Sequence, residues 1–259
     1  MFVNPYTFFF FNTVTHIALV VFVFTASLLD AIFLFTMYFL MRCCGISMLY
    51  HRHYAHSAWM PPAWFKIPGT FFACLSGEGT PVSWTAWHLT HHRYSDTEKD
   101  PHSPIHRGKL YCWFLPMFAN INIKFGARLT RDPVAMWFHK WFWFVHLAWL
   151  LTLLALYPYG VISLYLAPAA LTWALGTAQN VYSHLYGTRA YNTNDASKNN
   201  WINGLIGFGE GWHNNHHHNP THYRHGIKNN QLDLGAWLIE KIVSRPQLIE
   251  LQKTKTHSD

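Results

Sequence analysis

Four apolar stretches, at about residues 8–29, 31–50, 137–156 and 161–181, limit what this chain can become more than any other feature. Each approaches the ~20 residues that a helix needs to cross ~30 Å of hydrocarbon. A buried helix of a soluble protein is the alternative for any one stretch, and the third carries His139 and Lys140 near its start. Aromatic residues make up 18 % of the chain and charged residues only 12 %, which favours lipid contact. The expected fold is a single all-α integral membrane domain over 1–259. It has four transmembrane helices and a cytoplasmic helical cap formed by 51–136 and 182–259.

Charge placement sets the expected orientation. Arg42 lies inside the second stretch, ten Lys and Arg fall between Arg52 and Lys140, and eight fall between Arg189 and Lys255. The connections near Asp30 and at residues 157–160 have none. By the positive-inside rule both polar segments, and with them both termini, are expected in the cytosol. The opening "MFVNPYTFFF" lacks the basic region of a secretory signal, so the first stretch is expected to be retained, and no transit peptide is evident. The net charge of +7 is read as membrane-face charge and a dock for an acidic partner, since no nucleic-acid-binding motif competes. Cys43, Cys44, Cys74 and Cys112 show no C-x-x-C spacing and are expected to be reduced.

Two further segments have an expected place. Residues 64–84 are apolar but broken by Pro and Gly, so they are placed along the interface or under the cap. Residues 122–141 set Lys124, Arg128 and Arg131 against apolar neighbours and read as a helix lying on the headgroups.

Nineteen histidines occur, and most of them cluster. The clusters are "HRHYAH" (51–56), "HLTHH" (88–92) with the polar run to 104, and "HNNHHH" (213–218), with His184 after the fourth stretch. On a helix, His88, His91 and His92 project from roughly one face, while the neighbours His91 and His92 diverge by about 100°, so one helix can supply two adjacent metals. His213, His216 and His217 repeat that spacing. His51 and His56, five apart, point about 140° apart on a regular helix and can share a metal only if the helix ends or bends between them. His16, His139, His146, His222, His225 and His257 are read as ordinary core or surface residues, and His102 and His106 as polar neighbours of the second cluster. Neutral imidazole suits Zn, Cu, Fe and Ni, and nine ligands suit two ions better than one.

In order and spacing, "HRHYAH", "HLTHHRYSDTEKDPHSP", "NVYSH" and "GEGWHNNHH" closely resemble the membrane fatty acid desaturases, in particular the stearoyl-type delta-9 branch, over roughly residues 13–225. The resemblance implies two irons held by His51, His56, His88, His91, His92, His184, His213, His216 and His217, with O2 as co-substrate. Asn180 matches the position that holds a water on one iron, and His53 and His218 match no ligand position. The implied activity is insertion of a cis double bond into a saturated acyl chain, with two electrons from a separate donor. A redox metal is needed because neither acid–base nor nucleophilic catalysis breaks an unactivated aliphatic C–H bond.

Asp96, Glu98, Asp100 and Glu210 are candidates to orient the ligand imidazoles. Trp84 matches a tunnel-lining position. Steps of four back from His51 place the far end of an acyl tunnel near Cys43 and Phe39. The sequence departs from animal members in having Ala86 and Trp87 where an Arg and an Asp contact coenzyme A. The acyl carrier is therefore open between coenzyme A, acyl carrier protein and an intact lipid. No His-Pro-Gly-Gly signature of a b-type cytochrome occurs, so a separate ferredoxin or cytochrome is expected to dock on the basic face. The alternatives are a hydroxylase on the same framework and, more remotely, a membrane metal transporter.

Overall fold

The computed structural model describes residues 4–242. His257 and the rest of the expected cap beyond residue 242 lie outside them. The described chain is helical, and its only extended pairings are two isolated bridges, Thr188 with Asn199 and Asn199 with Trp212.

Helix α1 (Pro5–Thr25) starts on Pro5, with the Asn4 side chain accepting from the Tyr6 amide at 2.9 Å. Helix α2 (Leu28–Ala55) follows after two residues. The connection expected at Asp30 lies at Ala26–Ser27 instead. Ser27 and Asp30 form a reciprocal capping box that draws Asp30 into the first turn of α2. From Phe39 to Ala55 the helix is wound with i→i+5 hydrogen bonds, of which His56 N to His51 O at 3.1 Å continues the series. Its last carbonyls, at Tyr54 and Ala55, accept from the Arg128 guanidinium, which satisfies groups that no further turn supplies.

Helix α3 (Ala63–Leu75) lies against α2, and Gly45 permits their close approach: a Cβ there would stand 2.5 Å from the Ala73 nitrogen. A turn through Gly77, at φ 72, and Gly79 leads to α4 (Pro81–Tyr94), capped by Thr80 and Ser83. After α5 (Lys109–Phe114), the stretch read as one headgroup helix is two pieces, 3-10 turns over Ile123–Arg131 and α6 (Pro133–Lys140). Asp132 divides them because its carboxylate caps Val134 and Ala135, and Pro133 cannot donate to a preceding turn.

Helices α6 and α7 (Phe142–Leu156) meet at 71°, so the third apolar stretch is bent rather than straight. Helix α8 (Ala167–Leu185) continues from an i→i+5 turn at Ile162–Leu166. The short helices α9 (Trp201–Ile206), α10 (His213–His218) and α11 (Leu234–Ile242) complete the described chain.

Helices α1 and α2 are long and apolar enough to cross a membrane, and the bent pair α6–α7 makes a third if it counts as one span. The fourth expected stretch is helical but carries polar side chains, Gln179 and Asn180 among them, toward the interior. One apolar core gathers α2, α3, α4 and α11 around Leu49, Tyr50, Trp59 and Ile239, and a second joins α1, α7 and α8 around Phe8, Phe142 and Tyr165. Because the α2–α3 contact is backbone against backbone, Gly45→Ala is expected to destabilise the protein by about 1–3 kcal/mol through overpacking, read as a lowered thermal unfolding midpoint of the detergent-solubilised chain.

Candidate metal centre

The i→i+5 winding of α2 resolves the awkward spacing of the first histidine cluster. Residues five apart stack over one another in such a helix, so His51 and His56 face the same side with ring centroids 5.0 Å apart. The helix ends at Ala55, with His56 as its C-cap, still bonded through its amide to the His51 carbonyl. Across from this pair, α4 presents His88, His91 and His92, α8 presents His184, and α10 presents His213, His216 and His217.

These nine imidazoles form two groups. His51, His56, His88, His92 and His216 make the first, and His91, His184, His213 and His217 the second, with one ring nitrogen of each within 4.8 Å of the others in its group. Each H-x-x-H-H element serves both. In α4 the i,i+4 pair His88 and His92 joins the first group and His91 the second. In α10 the pair His213 and His217 joins the second and His216 the first. The divergence of neighbouring histidines on a helix thus places the groups side by side, with the rings of His92 and His217 stacked at 4.3 Å.

Four carboxylates decide which nitrogen faces inward. His91 Nδ1 donates to Asp100 Oδ2 at 2.9 Å, His184 Nδ1 to Asp96 Oδ2 at 2.7 Å and His217 Nδ1 to Asp195 Oδ2 at 2.5 Å, and His51 Nδ1 donates to Glu210. With Nδ1 protonated, each of these rings turns an Nε2 lone pair toward its group. Inside the groups nitrogens meet nitrogens: His51 and His216 Nε2 lie 2.9 Å apart, His56 and His88 2.8 Å, His184 and His213 3.1 Å. The Nε2 atoms of His91 and His217 are buried with no hydrogen-bond partner in the protein. Converging ring nitrogens, two of them with no partner in the protein, are a donor set that fits metal cations.

Burial and the carboxylates pull the rings in opposite directions. Burial pushes His88, His92, His213 and His216 well below the usual imidazole value, and the neighbouring histidines add to it. His217 is pushed down to about 4 by burial, against its bond to Asp195. Burial acts likewise on His91, but Asp100, with Asp96 and Asp195, outweighs it and raises that ring. The carboxyls of Asp100, Asp195 and Glu210 resist the effect of burial and are held below the usual range by the imidazoles they bind. Glu210 is held also by Arg52, which is fully buried and pairs with Asp233 at 2.9 Å.

The other site candidates fall as follows. Asn180 donates Nδ2 to the His102 carbonyl at 3.1 Å and lines the cavity that reaches the clusters. Of the four proposed orienting acids, Asp96, Asp100 and Glu210 bind ligand-candidate imidazoles. Glu98 is exposed, and no hydrogen bond found among the described residues joins it to a histidine; the solvated loop accounts for it. His53 donates to the Trp59 carbonyl at 3.0 Å, and His218 stacks on Tyr191 at 4.0 Å, so neither joins a group.

Sequence reasoning missed Asp195, which stands in the loop "NTNDASK" with no spacing signal. It also treated His225 as ordinary, whereas that ring is buried 4.5 Å from His216 and beside Arg52 and Glu210. The paired asparagines of "HNNHH" fix α10: Asn199 Oδ1 accepts from the amides of Asn214 and Asn215, and Asn214 Oδ1 accepts from those of Ala190 and Tyr191.

A cavity of about 440 Å³ reaches the clusters between α2, α4 and α8. Trp84 lines it and stacks on His88 at 4.9 Å. Phe39 and Cys43 do not line it: Cys43 is fully buried in the core, and Phe39 packs on Phe208. The α2 residues that face the cavity with His51 are Ile46 and Arg42. Steps of four assumed α-helical winding, and the i→i+5 winding turns a different face toward the site.

A family model described as fatty acid desaturase matches residues 25–242 of the chain. The chain is 33 % identical over 235 residues to the delta-9 acyl-lipid desaturase 2 of Arabidopsis thaliana, covering 84 % of this chain and 72 % of that one. It is 34 % identical to the delta-9 desaturase-like 2 protein of the same plant, over 75 % of this chain and 67 % of the relative. It is 29 % identical to the plant's chloroplastic palmitoyl-monogalactosyldiacylglycerol delta-7 desaturase, over 81 % of this chain and 58 % of that protein.

Asp195→Asn is expected to weaken metal retention about 10–100-fold by freeing the His217 ring. His217→Ala should lose metal outright, and His218→Ala should bind it as the parent does. Metal analysis of purified protein after competition with a chelator measures all three.

Proposed function

The chain belongs to the fatty acid desaturase family, an assignment from which we propose that it introduces a cis double bond, at the delta-9 position, into a saturated acyl chain. It is an oxidoreductase acting on fatty acyl chains. The observation that carries the finer reading is the sorting of nine imidazoles into groups of five and four, with carboxylates on the outer nitrogens. Two iron ions held there would supply, with O2, the redox chemistry that an unactivated C–H bond requires. The overall reaction takes one hydrogen from each of two adjacent methylenes, and O2 takes up these and two further electrons and protons to give two waters.

The protein's own groups have distinct tasks in this reading. Glu210, Asp100, Asp96 and Asp195 keep the Nδ1 protons in place and so hold the inner lone pairs steady through turnover. The amide oxygen of Asn180, its nitrogen engaged by His102, is available to hold a water at the four-histidine group. Trp84 and Ile46 line the cavity beside the clusters and position the chain against them. Helices α1 and α2, the bent pair α6–α7 and α8 act as the four membrane crossings, with the clusters on the cytoplasmic face; the placement of Lys and Arg supports this.

The two electrons come from a separate donor protein such as a ferredoxin or a b-type cytochrome, docked on the basic face. A lipid-borne chain is the best supported of the three carriers. The names of two relatives specify one, and Ala86 is buried while Trp87 stacks on His102, so neither offers charge to a coenzyme A headgroup.

Expression in a host lacking its own desaturase, with a competent electron donor, should yield monounsaturated fatty acids whose double bond is located by mass spectrometry. His216→Ala should abolish them. A hydroxylated product without an alkene would overturn the reading in favour of a hydroxylase, and a double bond at another position would overturn the delta-9 assignment alone.

A further inference from the structure

Of the residues that line the cavity, Phe118 and Asn120 alone are exposed, so it reaches the surface at residues 116–121 and runs inward from there to His51, His88, His91 and His213. Phe118 stands at this mouth on the short turn Pro116–Phe118, its ring 5.4 Å from that of Tyr6 and 6.1 Å from that of Phe9. Both partners belong to the first turns of α1, and Pro5 and Phe8 of the same helix line the cavity. Helix α1 is long and apolar enough to cross a membrane, so a mouth beside its first turns lies where acyl chains meet headgroups.

The rim suits lipid and not a charged carrier. Tyr6, Phe9 and Phe10 are exposed on one side of it, and Phe114, Leu115 and Phe118 on the other. No Lys, Arg, Asp or Glu occurs in residues 4–29 or 110–123, so neither strip of chain offers a counter-charge to the phosphates of coenzyme A. The segment at the mouth is also lightly held. After the bond from Ala119 N to Pro116 O at 3.1 Å, the amides of Asn120 and Ile121 reach no carbonyl among the described residues.

We infer that the cavity opens sideways into the bilayer between the start of α1 and residues 115–121, and that one acyl chain of an intact glycerolipid enters there, displacing Phe118 from Tyr6 and Phe9. The inference rests on the reading that this cavity takes the acyl chain, and it fixes the partner as a lipid that stays in the membrane throughout. A chain moving straight from the bilayer into the cavity exposes no methylene to water on the way. Its ester remains at the rim, where the exposed Asn120 amide can donate to the ester carbonyl.

The test uses the full chain in liposomes with a competent electron donor. In Tyr6→Cys/Phe118→Cys, a short bis-thiosulfonate reagent ties the two sides of the mouth through bonds that a reductant breaks. The tied protein should lose desaturation of bilayer glycerolipids and regain it on reduction, whereas the reagent should not change the rate of either single variant; the four native cysteines are buried. A fluorophore on Phe118→Cys, in metal-free protein as well, should be quenched more by nitroxide-bearing phospholipids than by iodide in the water. Acyl-coenzyme A given to the parent should not be desaturated until its chain has passed into lipid.

Desaturation by the tied protein at its untied rate overturns the route. A label quenched by iodide and not by lipid overturns it equally, and decides the matter if the double variant does not accumulate. Direct desaturation of acyl-coenzyme A with lipid chains untouched overturns the partner. In each of these cases an alkene still forms, so the desaturase reading stands. Ile46→Trp fills the cavity beside His51, and if it turns over like the parent, the chain does not use this cavity and the route falls with it. A parent that makes no alkene from any carrier overturns the proposed reaction and the route together.

Discussion

A neutral imidazole can turn a lone pair toward a metal with one nitrogen only when its other nitrogen keeps the proton. Around the two histidine groups the protein settles that choice with acids drawn from places far apart in the chain. Asp96 and Asp100 follow α4, Asp195 lies in the loop after α8, and Glu210 immediately precedes α10. Each acid must itself be held. Asp96 sits at φ 56, a conformation that Asp tolerates better than most residues, and its carboxylate also receives Ser103 and the Ala196 amide. Asp195 receives both groups of Ser197 and the Thr193 hydroxyl. Glu210 is tied through Arg52 to Asp233, which in turn fixes the amides of His225, Gly226 and Ala236. The polar loops are ordered around the acids, and the acids around the rings.

The second determinant is the winding of α2. Over Phe39–Ala55 its i→i+5 bonds bring His51 and His56 onto one side, put Ile46 and Arg42 on the cavity wall, and leave Cys43 and Ser47 turned elsewhere. Ser47 donates to Glu210 Oε1 at 2.5 Å, so the same helix supplies a ligand candidate and support for the acid that orients it. Arg128 closes the end of the helix, and Gly45 lets α3 press against it. Such winding is rare and concentrates at functional sites, consistent with its extent here beside the clusters.

The convergence of the histidine clusters was legible from spacing. The H-x-x-H-H elements obey the ordinary geometry of an α-helix, and His91 and His92 diverge as that geometry requires. The same stepping leads from His51 to Cys43 and Phe39, which the structure packs away from the cavity. Phe39 and Cys43 were placed on the cavity because four residues make about one α-helical turn, and nothing in "FLMRCCGISMLYHRHYA" announces a different winding. Asp30 looked like a connection because it is charged between two apolar runs, yet it serves as half of a capping box. Asp195 and His225 act through tertiary contacts and carry no local pattern. The third apolar stretch was readable as apolar, but its break at Trp141 was not, because no Pro or Gly marks it.

The partition of the two H-x-x-H-H elements has a consequence for assembly. Helices α4 and α10 each send ligand candidates to both groups, and His51 meets His216 across a separation of 165 residues. Neither group can close until the chain has been made and threaded past α10, and closing either one draws together the same two helices needed by the other. Formation of the two groups is therefore coupled, since each draws together helices that the other needs.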